Sequence, residues 1–141
     1  MSDEAWSLHP QLANDCHLLR EWERGVLLLH SNASLHWFLL VPKTSSVDLL
    51  DLEKGELQEL FRLATVLHEF LKTEFGYPRV NVGALGLVVP QLHLHVVGRR
   101  PDDPCWPAPV WGNLPEGPTY TESDFVALKS DLERLLPSGW E

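Results

Sequence analysis

The chain has 141 residues, of which 44% are hydrophobic, and a formal net charge of -9 at pH 7. This length fits one ordinary domain, and the hydrophobic content is enough for a packed core, which excludes global disorder. The negative charge argues against binding to nucleic-acid polymers, because lysine and arginine would have to neutralise the phosphates. It leaves open a small anionic substrate held by a local patch.

Three features of the sequence lead us to expect a cytoplasmic protein. Cys16 and Cys105 are far apart and fit no CxxC pattern, so we expect reduced thiols. Residues 1–6 are acidic and lack an apolar run, so no signal peptide is expected. No apolar stretch approaches the length that spans a membrane, and we expect no membrane association.

The first part of the chain predicts a β-hairpin. Residues 1–15 are polar and mixed, and we expect His9-Pro10 to break any helix there. Residues 16–22 predict a short first strand. The apolar runs 26–30 and 37–41 are separated by turn-forming residues, and together they predict an antiparallel hairpin.

A long helix is predicted after the hairpin, over about residues 53–75. Its apolar residues keep helical spacing at Leu57, Leu60, Ala64, Leu67, Leu71 and Phe75. Gly76 and Pro78 are expected to end it, because glycine is the usual C-terminal cap and proline cannot continue a helix.

The C-terminal part predicts an irregular arm and a second helix. Residues 101–118 are rich in proline, and we expect Trp106 and Trp111 to pack this arm on its own domain or on a partner subunit. Stacking of these rings on an adenine base stays open as an alternative. A capping-box pattern at residues 121–124 predicts the start of the helix. The residues expected to form its apolar stripe and its end are Phe125, Leu128, Leu132, Leu135, Pro137 and Gly139.

Two predicted strands, at residues 79–84 and 91–97, carry the polar groups of greatest interest. Side chains alternate along a strand, so Gln91, His93 and His95 are expected to share one face. The opposite face is expected to join the core through Leu92, Leu94 and Val96. Polar groups are costly to bury without partners, so the face with the two histidines is expected to line a site.

Two other interpretations of this face stay open. It could be a polar cluster whose hydrogen bonds are satisfied on an open sheet. It could also bind a metal, since two histidines at i and i+2 on a strand can chelate. The further ligands would then have to come from His36, His30 or Cys16.

The predicted elements give an α+β fold with a mostly antiparallel sheet, one long helix and a C-terminal helix, in a single domain of residues 1–141. Their order resembles the histidine-triad (HIT) superfamily of nucleotide hydrolases and transferases, whose motif is His-φ-His-φ-His-φ-φ with φ apolar. Here the motif stands as Gln91-Leu92-His93-Leu94-His95-Val96-Val97, and Val41-Pro42-Lys43 matches the end of the second hairpin strand. The resemblance covers about residues 16–100. The chain is similar to the bacterial diadenosine-tetraphosphate-hydrolase-like branch, which also carries Gln at the first triad position.

The resemblance implies covalent catalysis without a cofactor or a metal. His93 matches the histidine that attacks the α-phosphorus of a nucleotide, and water or another acceptor then resolves the nucleotidyl-imidazole. His95 matches the third triad position, which donates to a phosphate oxygen. Asn81 matches a residue that contacts phosphate or ribose, and Asn32 lies where the family often has a ribose-binding Asp. Apart from the resemblance, Arg99 at the end of the motif strand is a further candidate for binding phosphate, and a solvated strand end is the alternative interpretation.

The implied substrates are dinucleoside polyphosphates, or nucleoside monophosphates joined to a leaving group, and the implied assembly is a homodimer. Candidate dimer contacts are the tryptophan-rich arm and the long helix. Three departures from the family pattern are Gln91, which cannot carry a proton, Val88 in place of Ser or Thr, and Trp37 in place of His. Gln91 and Val88 permit a second hypothesis, in which the protein is a nucleotide-binding or sensing module with little turnover.

Overall fold

The computed structural model describes residues 6–136 and contains a five-stranded antiparallel sheet. Its strands are β1 (Cys16–Trp22), β2 (Gly25–His30), β3 (Trp37–Pro42), β4 (Arg79–Gly83) and β5 (Leu94–Arg99). Their order across the sheet is β1-β2-β3-β5-β4, and every neighbouring pair is antiparallel. The predicted hairpin of β2 and β3 and the predicted α+β class are therefore confirmed.

Three α-helices accompany the sheet, namely α1 (Pro10–Asp15), α2 (Lys54–Phe75) and α3 (Glu122–Glu133), with a short 3-10 turn at Leu49–Asp51. The predicted long helix is confirmed within one residue. A capping box joins the side chains of Glu53 and Glu56 to each other's backbone N–H groups at its start. Gly76 ends it in the left-handed conformation, at a φ of 69°. No helix within residues 6–136 is long and apolar enough to cross a membrane.

The sheet has one face under α2 and one face that lines a cavity. Phe38 on β3 and Val96 on β5 are fully buried, and the ring of Phe38 lies 6.2 Å from that of Phe70 on α2. Because side chains alternate, the neighbouring residues Trp37 and His95 point to the opposite face. The predicted core positions Leu92, Leu94 and Val96 are all buried, so this part of the prediction is confirmed.

The prediction that His9-Pro10 prevents a helix is wrong. Pro10 is the first residue of α1, where a missing N–H costs nothing because the first turn has no acceptor for it. The Nδ1 of His9 accepts a hydrogen bond from the backbone N–H of Gln11 and caps the helix. A histidine before a proline was therefore a start signal.

The predicted motif strand begins too early, at residue 91 instead of Leu94. Strand pairing with β3 starts at Leu40 and Leu94, so residues 91–93 are not paired with that strand. The ring of His93 instead bonds back to the carbonyl of Gln91, two residues earlier. This local bond holds the approach to β5 in a non-strand conformation.

The C-terminal region follows its prediction in part. Trp111 packs against the sheet, with its ring centroid 5.3 Å from that of His95. Thr121 caps α3 through the backbone N–H of Asp124. Leu135 lies beyond the end of α3 and is 46% exposed, so its assignment to the apolar stripe is wrong. The predicted end at Pro137 and Gly139 lies outside the described residues.

Candidate active site

A cavity of about 440 Å³ lies on the face of the sheet opposite α2. It is surrounded by α1, by residues of β1, β2, β3 and β5, by the loop before the motif, and by the proline-rich arm. Its lining includes Gln11, Asp15, Cys16, His30, Trp37, Val88, His93, His95 and Trp111. The structure thus brings His93 and His95 together in one cavity, with ring centroids 4.7 Å apart.

The hydrogen bond of His93 fixes which of its ring nitrogens carries the proton. Its Nδ1 lies 2.7 Å from the backbone carbonyl oxygen of Gln91. A carbonyl oxygen only accepts, so Nδ1 must donate, and the neutral ring then has an unprotonated Nε2. Within the described residues, no protein group bonds that Nε2. His93 therefore offers a free lone pair, which a nucleophile requires.

His95 has the opposite tautomer. The indole Nε1–H of Trp37 donates to its Nδ1 over 2.9 Å, and both side chains are buried. An indole N–H is a donor only, so the neutral ring of His95 carries its proton on Nε2. Trp37 thus holds His95 as a hydrogen-bond donor beside the lone pair of His93.

Burial keeps both imidazoles neutral at physiological pH. It lowers the pKa of His95 to about 3, and the neighbouring His93 and His30 lower it further. The pKa of His93 is also lowered, first by burial; the bond to the Gln91 carbonyl opposes this shift, and the nearby His9 adds to it. A neutral His93 is the reactive form, because protonation would consume its lone pair.

Gln91 does not direct its side chain to the neighbouring histidine rings. Its Oε1 accepts from the backbone N–H of His9 at 2.8 Å, and its Nε2 donates to the carbonyl of Ser7 at 2.9 Å. The amide therefore fastens the segment before α1 to the motif. It positions a wall of the cavity, because α1 contributes Gln11 and Asp15 to the lining.

Asn81 and Arg99 lie next to each other but outside the cavity lining. Arg99 is 3% exposed and pairs with Asp103 through an Nε to Oδ2 distance of 2.7 Å. It also donates to the side-chain oxygen of Asn81 and to the carbonyl of Ala108. This network fastens the proline-rich arm to β5, and the predicted substrate contacts of both residues stay predictions.

The side chain of Asn32 makes hydrogen bonds within the protein. Its side chain donates to the carbonyl of Pro115 and accepts from the backbone N–H of Ser34. Its predicted contact with ribose likewise stays a prediction. His36, one of the possible metal ligands, stacks on Phe75 at 3.8 Å, away from the cavity.

His30, considered from the sequence only as a possible metal ligand, lines the cavity at the end of β2. Its ring stacks on that of Trp37 with centroids 4.2 Å apart. Its face follows from strand register: Leu28 pairs with Leu39, and Leu39 pairs with His95, so His30 shares a face with His95. That register cannot be read from the sequence, so no sequence pattern pointed to His30.

The charges around the cavity are few. No Lys or Arg side chain of residues 6–136 lines it, and Asp15 is its carboxylate. Burial, and to a smaller extent Asp15, raises the pKa of the Cys16 thiol to about 12, so this thiol stays protonated. In the part of the chain that the structure describes, no three His, Cys, Asp or Glu side chains are grouped to hold a metal ion.

The fold and the paired imidazoles agree with the comparisons. The HIT domain family matches residues 11–102, well over half of the chain. The crystal structure of a histidine triad protein from Marinobacter aquaeolei VT8 is 38% identical, covering 93% of this chain and 98% of that chain, with a TM-score of 0.83. A comparison with curated proteins gave no significant match.

Two further solved structures support the assignment. A histidine triad protein from Bradyrhizobium japonicum is 31% identical, covering 94% of this chain and 99% of its own, with a TM-score of 0.86. One from Sinorhizobium meliloti 1021 is 26% identical, covering 96% and 100%, also with a TM-score of 0.86. The chain therefore belongs to the HIT domain family, whose fold binds nucleotides.

Proposed function

We propose that the protein is a nucleotide hydrolase or nucleotidyl transferase that works through a covalent intermediate on His93. The observation that carries this proposal is the pair of opposite tautomers in one cavity, a free lone pair on His93 beside an Nε2–H on His95. The Nε2 of His93 attacks the α-phosphorus, a P–N bond forms, and the bond to the leaving group breaks. Water or another acceptor then attacks the phosphorus, and the imidazole leaves with its lone pair restored.

His95 is proposed to stabilise the phosphoryl group as its charge develops. Its Nε2–H is a preorganised donor in a largely apolar cavity, where such a bond is stronger than in water. Gln91 is proposed to support catalysis by position, since both atoms of its amide already bond residues 7–9. It supplies no proton to the leaving group.

The proposed substrates are dinucleoside polyphosphates or nucleoside monophosphate conjugates. The charges of the cavity favour the conjugates, because the described residues line it with one carboxylate and no Lys or Arg. A polyphosphate chain would enter with several negative charges and without a cationic side chain to meet them.

A second candidate function is nucleotide binding or sensing with little turnover. Two observations favour it: the amide of Gln91 is occupied by backbone groups, and Val88 is 89% exposed with no hydroxyl to offer. General acid or base help is typically worth about two to four orders of magnitude in rate, so its loss would slow the reaction severely.

The test is mononucleotide release from a labelled dinucleoside polyphosphate and from a labelled adenosine 5′-phosphoramidate. The enzyme hypothesis expects release by the wild type that His93→Ala abolishes. His68→Ala is expected to preserve it, because His68 is a half-buried residue of α2 that does not line the cavity. Tight binding without release supports the binding module. Release that survives His93→Ala contradicts the assigned nucleophile.

We also propose a homodimer, as the family resemblance implies. Both predicted contact regions offer apolar side chains to a partner, with Trp106 of the arm 36% exposed and Phe61 of α2 42% exposed. Light scattering on the purified protein is expected to give twice the chain mass of 16.0 kDa. The mass of one chain at micromolar concentration would contradict the proposal.

A cytoplasmic location is the last part of the proposal. Cys16 and Cys105 form no disulfide, which agrees with a reducing compartment. Cell fractionation is expected to recover the protein with cytoplasmic markers, and recovery from the medium or the periplasm would contradict it.

A further inference from the structure

The cavity lacks donors at two positions where the motif would be expected to supply them. Val88 has no hydroxyl, and the side-chain amide of Gln91 is already bonded to Ser7 and His9. No Lys or Arg side chain of the described residues compensates from the lining. If the cavity binds the phosphate of a nucleotide, as the proposed function requires, a neutral donor besides His95 has to meet it.

His30 has the geometry of such a donor. Its Nδ1 accepts the backbone N–H of Asn32 over 3.1 Å, so the neutral ring carries its proton on Nε2. Among residues 6–136 that Nε2 has no hydrogen-bond partner, and it is not fully buried. The N–H is therefore open to the cavity that the ring lines.

The position of His30 is also held firmly. Its ring lies on the indole of Trp37 with an interplanar angle of 10°, and the same indole donates to His95. One tryptophan thus orients two imidazoles, by stacking on the first and by hydrogen bonding to the second. Preorganised donors of this kind bind an anion without further ordering of side chains.

We propose that His30 is a phosphate-binding residue of this site, which donates its Nε2–H to a phosphate oxygen of the bound nucleotide. It supplies a donor of a kind that Val88 and Gln91 do not offer to the cavity. The residue acts as a donor and not as a base, because the acceptor nitrogen of its ring is engaged by the Asn32 backbone. Burial lowers the pKa of His30, and Asp15 opposes that shift by raising it.

Isothermal titration of adenosine 5′-monophosphate and of adenosine provides the test. The informative variants are His30→Phe, which keeps a ring on Trp37 but removes the donor, and His30→Gln, which keeps an N–H donor and an acceptor for Asn32. His30→Phe is expected to weaken binding of the monophosphate by about 10- to 100-fold, the range for a bond to a charged group. Binding of adenosine is expected to stay within about twofold, and His30→Gln to recover part of the loss.

Three results would overturn the proposal. These are unchanged affinity of His30→Phe for the monophosphate, an equal loss for adenosine, which would assign His30 to the nucleoside, and failure of the wild type to bind the monophosphate. This inference rests on the proposed function only for the presence of a phosphate. Mass spectrometry for a covalent adduct on His93 therefore separates the two: binding losses as expected without an adduct would leave His30 assigned and remove the catalytic proposal.

Discussion

Trp37→Phe isolates the hydrogen bond that orients His95. The substitution removes the indole Nε1–H that lies 2.9 Å from Nδ1 of His95, while it keeps an aromatic ring for His30 to stack on. Nδ1 of His95 would then be a buried acceptor without a partner, since the side chain is 6% exposed. Its tautomer would no longer be fixed, so the Nε2–H would face the phosphate for only part of the time.

The substitution is expected to lower both the stability and the turnover rate. An unsatisfied buried acceptor costs about 1–3 kcal/mol, so the free energy of unfolding is expected to fall by that amount. Complete loss of one preorganised donor costs about 10²–10³ in kcat, and partial loss is expected to cost about 10- to 100-fold. Urea unfolding gives the first quantity, and mononucleotide release gives the second.

Trp111→Phe is the matched control for stability. Among residues 6–136, the buried indole N–H of Trp111 has no hydrogen-bond partner, so its removal leaves no acceptor there unsatisfied. Histidines labelled with ¹⁵N report the tautomer directly, and wild-type His95 is expected to be protonated at Nε2. If Trp37→Phe keeps that tautomer, the wild-type kcat and the stability of the control variant, the indole of Trp37 does not orient His95.

Three further predictions concern stability, and urea unfolding measures each of them. Gly98→Ala would bring a Cβ to 2.5 Å from the ring of Tyr77 and is expected to lower the free energy of unfolding by about 1–3 kcal/mol. Gly55→Ala meets no described atom within 4 Å and is expected to stabilise α2 by up to about 1 kcal/mol. Equal effects of the two substitutions would contradict this. Asp103→Asn leaves the buried Arg99 without its ion pair and is expected to cost about 3–5 kcal/mol, and a loss below 1 kcal/mol would count against it. Because the pKa of His95 is about 3 in the folded chain, the unfolded chain binds a proton below pH 6.5 that the folded chain does not bind. The free energy of unfolding is therefore expected to fall as pH falls from 6.5 toward 3, by up to about 1.4 kcal/mol per pH unit. A urea midpoint that does not change with pH would contradict this.

Hydrophobic periodicity was sufficient to predict most of the fold. The hairpin and α2 follow from runs and spacings that tertiary contacts reinforce, so these predictions hold to within about one residue. The errors come from local polar bonds that periodicity does not register. The Nδ1 of His9 caps a helix that begins at a proline. The ring of His93 bonds to the backbone carbonyl of Gln91, and β5 begins only after these residues.

The candidate site was predictable where its residues are close in sequence. His93 and His95 lie two positions apart, and alternation is enough to bring them together. His30 comes from another strand, and its place depends on the register of β2 with β3 and β5, which the sequence leaves open. The buried partners of Arg99 could not be predicted from the sequence either, because they depend on how the arm folds back on the end of β5.

The most direct test of the account is the mass of the protein quenched during turnover with an adenosine 5′-phosphoramidate. Quenching at neutral to alkaline pH protects a phosphorus–nitrogen bond that acid would cleave. A covalent intermediate on His93 is expected to appear as an adduct of one adenosine monophosphate, located on the peptide that contains His93 and absent from His93→Ala. Turnover without an adduct on His93, or an adduct on another residue, would contradict it.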